Sequence, residues 1–103
     1  MSYATITMNY RRANSKADEL DELAEQLMKM AQSQMGDSLQ DISNNWKGDS
    51  AELFIRKGEN LQQQIIGTAK QLKNTAAAVR KIAQTTRNAD LQALEIAMRR
   101  TYK

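Results

Sequence analysis

Residues 43–54 read Ser43-Asn44-Asn45-Trp46-Lys47-Gly48-Asp49-Ser50-Ala51-Glu52-Leu53-Phe54. Six of the first eight are Ser, Asn, Gly or Asp, which compete with the helical backbone for hydrogen bonds or permit its reversal, so regular structure must break here. The break holds the chain's one Trp, two residues before a Gly. Asn44 or Asn45 can end an incoming helix, Gly48 can take a positive φ, and Asp49 or Ser50 can cap an outgoing one, with Glu52 supporting its first turn. The stretch therefore reads as a tight turn between two helices, over about residues 44–49.

Both flanks carry helical periodicity. Upstream, Tyr10, Ala13, Ala17, Leu20, Ala24, Leu27 and Ala31 recur at steps of three and four, with Leu23, Met28, Met30, Met35, Leu39 and Ile42 beside them. The spacing predicts a helix over about 10–43 with an apolar arc of roughly 180°, wider than one partner helix covers. Asn14 or Ser15 is a candidate cap. Downstream, Phe54, Leu61, Ile65, Leu72, Val79 and Ile82 make a narrower, nearly heptad seam over about 50–87, filled in by Gly58, Thr68, Thr75 or Ala76, and Thr86. The helices would be roughly 51 and 57 Å long, matched for an antiparallel pair. In the tail, residues 88–103, a new short helix carrying Leu91, Leu94 and Met98 and a continuation of the second helix with a shifted stripe are both open.

Charge agrees with the antiparallel arrangement. Asp18, Glu19, Asp21, Glu22 and Glu25 face Lys70, Lys73, Arg80 and Lys81 when the chain folds about Trp46–Asp49. Such exposed pairs are worth only ~0–1 kcal/mol each, yet opposite signs disfavour slipped alternatives.

Composition narrows the function. The 103 residues are 41% apolar but 5% aromatic, without Pro, Cys or His. That excludes a disulfide framework and thiolate chemistry, and removes the usual general base and the commonest metal ligand. The carboxylates lie mostly on the polar arc, where nothing desolvates them, and form no calcium loop. The expectation is a non-enzymatic protein with no cofactor, metal or small-molecule substrate. No stretch approaches the ~20 apolar residues needed to span a bilayer, and the N-terminus lacks an apolar signal core. The basic second half, ten Lys or Arg against four acids from residue 50, could suggest nucleic acid, but its charges are dispersed without interleaved aromatics and the whole chain is only +3.

In its layout the chain resembles the WXG-hundred proteins, the early-secreted-antigen-like substrates of bacterial type VII secretion. The resemblance is carried by Trp46-Lys47-Gly48 between two long helices, with Leu39 and Ile42 before the Trp, and Ala51, Phe54 and Leu61 after it. It implies an all-α fold, an antiparallel two-helix hairpin dimerising into an elongated four-helix bundle. It further implies export as a folded dimer by a route without a signal peptide, recognised by the secretion ATPase through the Trp46 and Gly48 turn and a C-terminal signal. The wide first face supports a dimer independently, and Leu20, Leu23, Leu27, Met30, Leu61, Ile65 and Leu72 are its expected interface. The partner is a second copy, a related small helical protein or the N-terminal domain of a toxin, for which this chain would serve as a cytoplasmic adaptor. From other classes, the alternatives are a structural coiled coil or a weak nucleic-acid binder.

The family's signal after the second helix, Tyr-x-x-x-Asp or Tyr-x-x-x-Glu, is not matched. Tyr102 is followed only by Lys103, and Tyr3 and Tyr10 lie at the other end. Either a partner supplies the signal, or a variant such as Leu91, Leu94 and Met98 with Tyr102 replaces it, or the sequence ends early.

Overall fold

The computed structural model describes residues 1–101, so Tyr102 lies outside the described residues. The fold is all-α, a two-helix hairpin whose first arm is α1 (Tyr3–Lys29), a π-helical turn (Met30–Met35) and α2 (Gly36–Asn45), and whose second arm is α3 (Asp49–Thr101). None of these helices is long and apolar enough to cross a membrane.

Two boundaries differ from the sequence expectation, and a third that it left open is decided. The first arm starts at Tyr3, not near residue 10, because Ser2 caps it: Ser2 Oγ accepts from the Thr5 N–H at 3.2 Å, and Ile6 N–H donates to Ser2 O. That bond satisfies one of the first-turn donors and makes Asn14 and Ser15 interior residues. At the start of α3, Asp49 and Ser50 lie inside the first turn, and Gly48 O accepts the opening bond from the Glu52 N–H. The tail is no separate helix, since α3 runs unbroken to Thr101. With no Pro or Gly after Gly67, nothing there interrupts winding.

The chain divides into two compact units. Residues 21–73 form a helical hairpin containing the π turn and the reversal at Trp46–Gly48. Its fully buried apolar residues are all alanines: Ala24, Ala31, Ala51 and Ala69. Residues 1–20 and 74–103 form the other unit, an antiparallel pair whose core is Ile6, Ala17, Ala76 and Ala83. Ala17, Ala24 and Ala31 are seven apart, as are Ala69, Ala76 and Ala83. Small residues at a heptad interval let helix backbones approach closely while the larger neighbours splay to either side.

This core differs from the sequence expectation. Ile65, Leu72 and Val79 are half-buried beside the alanines, but Phe54, Leu61 and Ile82 are 52, 51 and 65% exposed. One turn of α3 presents two adjacent apolar rows, and the single partner helix within each unit covers only one.

Charge pairing does follow the expected antiparallel sense. Arg80 donates to Asp18 at 2.6 Å within the unit formed by the chain's outer segments. The Arg87 guanidinium stacks over the Tyr10 ring in that unit, 4.8 Å from its centroid.

Candidate protein-interaction site

The turn is built from backbone outward. Trp46 ends α2 in an extended conformation (φ −127°, ψ 121°), its N–H still donating to Ile42 O at 2.9 Å, and Gly48 reverses the chain at φ 114°. Two side chains bond carbonyls near the helix end: Lys47 Nζ donates to Ser43 O, one of the carbonyls the end leaves open, and Asn45 Nδ2 donates to Asp41 O, each at 2.8 Å. The helix therefore runs through both Asn44 and Asn45, and Trp46 itself terminates it.

Trp46 leans on Phe54 across the turn, with ring centroids 5.9 Å apart and planes tilted by 54°. This is a favourable tilted aromatic contact. It does not bury the indole, which is 46% exposed. Behind the pair lies an open apolar groove of about 460 Å³, walled by Met30, Met35, Leu39 and Ile42 on one side and by Phe54, Gly58 and Leu61 on the other. Four residues expected to pack at the turn are thus placed there differently. Leu39 and Ile42 are half-buried and Ala51 fully buried, while Phe54 faces outward.

Of the residues expected at an interface, Leu20, Leu27, Met30, Ile65 and Leu72 are half-buried and Leu23 and Leu61 are exposed. Met30 and Leu61 meet in the groove just described. The outer unit has its own smaller groove, about 250 Å³, lined by Ile6, Ala13, Val79 and Ile82 with Arg87 and Asp90 at its edge. In the tail, Leu91 and Leu94 are half-buried and Met98 is 51% exposed.

Sequence reading missed the π turn and Gln62, whose side-chain Nε2 donates to Ala31 O at 2.6 Å across the hairpin. The sequence marks neither: Ala31, Met35 and Leu39 are two four-residue steps in succession, and the drift of about 80° that these give on an α-helix stays within the apolar arc.

Comparison of the chain with protein-family models, curated proteins and solved structures finds no match.

Proposed function

We propose that this chain is a small, non-enzymatic substrate or adaptor of a type VII secretion system, working as a folded helical dimer. The observation that carries the reading is the Trp46–Gly48 turn. It joins two long helices, it is fixed by its own backbone and side-chain bonds, and it leaves the indole half in solvent against Phe54, which lines an apolar groove. A Trp needed only for packing gains most when fully covered, whereas one that serves recognition must stay within reach. In this reading the secretion ATPase takes hold of the turn, and export needs no signal peptide.

Surface area supports the dimer. The chain of 11.7 kDa exposes 7862 Å², against about 5,900 Å² for a compact monomer of that mass. The difference, about 2,000 Å², exceeds the ~800 Å² per partner of a standard interface. The exposed surface includes large apolar side chains, among them Leu23, Phe54, Leu61 and Ile82. Charge favours a head-to-tail arrangement of copies. Residues 1–20 and 74–103 carry nine basic and four acidic side chains, and residues 21–73 carry six and eight. Setting the basic unit of one copy against the acidic unit of the other satisfies both.

The test is export from the native host. The protein should accumulate outside cells, disappear from there when the secretion ATPase is deleted, and stay inside as Trp46→Arg with its helicity intact. If the folded Trp46→Arg variant is exported normally, the turn is a structural hinge only. Co-purification with the N-terminal region of a larger toxin, in place of a second copy, would instead assign the adaptor role.

A further inference from the structure

Gln62 and the π turn form one device. Two four-residue steps from Ala31 to Leu39 would carry the apolar stripe about 80° around an α-helix. The wider π turn at Met30–Met35 accommodates the extra residue and returns Leu39 to the side of Gly58. Such a turn disturbs the regular ladder of backbone bonds, and π turns occur frequently at functional sites. Here it is closed by the Gly36 N–H donating to Ser33 O, and Gln62 reaches across the hairpin to the carbonyl of fully buried Ala31. A Cβ on Gly36 would stand 3.6 Å from the Gln62 nitrogen, an ordinary van der Waals contact, so the reach does not depend on this glycine.

The turn changes what faces outward. Met30, Gln34 and Met35 all line the groove behind Trp46 and Phe54. In an unbroken α-helix Met30 and Met35 would be five residues and about 140° apart, too far round to share a wall.

We propose that Gln62 is a positioning residue for partner recognition, its hydrogen bond holding the π turn that aims Met30, Gln34 and Met35 into a groove occupied by a second copy of this chain. The proposal rests on the dimer reading above. The occupant follows from the same area argument, because the excess surface suffices for a copy-to-copy interface and the groove lies on the exposed apolar row of α3.

Three variants of the full chain test it, each followed by circular dichroism, by amide exchange over residues 31–36 and by the self-association constant from sedimentation. Deleting Ser33 removes the surplus residue. Met35 then falls four positions from Met30, and Met35 and Leu39 three and seven from Ala31, so an unbroken α-helix keeps both the alanine seam and the groove wall with no π turn to hold. The expected result is undiminished helicity with a dimer Kd within about two-fold of wild type, and a ten-fold loss there would overturn the groove-wall role. Gln62→Leu, which leaves the Ala31 carbonyl without its side-chain donor, should raise exchange in the π turn and raise the dimer Kd on the order of ten-fold. Gln62→Lys, which restores a donor of sufficient reach, should recover most of the affinity. Wild-type self-association in folded Gln62→Leu, or failure of Gln62→Lys to improve on it, overturns the positioning role. Collapse of the fold on deleting Ser33 overturns the claim that the turn houses a surplus residue. A wild-type chain that is monomeric at all concentrations overturns the dimer reading itself.

Discussion

A Cβ placed on Gly58 would stand 2.5 Å from Leu39 Cδ2, closer than any unshifted contact allows. Leu39 reaches over the bare backbone of α3, so this glycine is retained for close approach and not for φ. Gly58→Ala gains roughly 0.5–1 kcal/mol of helix propensity but must displace a terminal methyl, a shift of comparable cost. The expected net change is within about 1 kcal/mol. Gly58→Val adds bulk that Leu39 can escape only by swinging into the groove, and should destabilise by about 1–3 kcal/mol. Urea unfolding of the two variants measures the difference, and equal midpoints would show that Leu39 yields freely.

The alanine seam makes a sharper demand. Ala76 is wholly buried while Ala78, two residues on, is exposed. Leucine at position 76 must force the helices apart or leave its rotamer, with an expected cost of about 1–3 kcal/mol or more. Leucine at position 78 should be neutral within ~0.5 kcal/mol. Thermal unfolding of Ala76→Leu and Ala78→Leu side by side checks this, and a neutral Ala76→Leu would mean that the close approach is dispensable.

How far these features are legible in the sequence depends on which residues write them. The turn is readable because Asn, Trp, Gly and Asp act locally, and Gly48 does take the positive φ expected of it. The antiparallel sense is readable from charge, as Asp18 and Arg80 show. The core is harder, because apolar periodicity weights large side chains and the close seam is made of small ones. Leu61 and Ala69 follow helical spacing equally well, yet only the alanine is buried. The π turn is not legible, because Ala31, Met35 and Leu39 would stay within the apolar arc of an ordinary α-helix. At the N-terminus, Tyr3, Thr5, Ile6 and Thr7 are better strand formers than helix formers, and only the serine before them marks where winding begins.

That serine gives a local prediction. Ser2→Ala removes the acceptor for the Thr5 N–H, which should cost about 0.5–2 kcal/mol. The loss should appear as faster amide exchange over residues 3–6, with little change over 36–45. Exchange that is unchanged in the first turn would show that the Ser2 backbone carbonyl, bonded to the Ile6 N–H, suffices alone.

The turn itself separates geometry from recognition. Gly48 has φ 114°, and nothing lies within 4 Å of where its Cβ would be, so replacing it meets no neighbour and the cost is purely one of backbone strain. Gly48→Ala should therefore destabilise by about 1–3 kcal/mol. Asparagine, which relieves strain near φ ≈ +57°, should give little rescue so far beyond that value. Trp46 answers differently. Its tilted contact with Phe54 is worth about 0.5–1.5 kcal/mol beyond buried area, and Trp46→Phe retains an aromatic face for it. That variant should unfold within about 1 kcal/mol of wild type. If recognition reads the indole, its export should fall despite normal stability, whereas Gly48→Ala should lose both together. Equal export of Trp46→Phe and wild type would leave the turn needing only an aromatic lid.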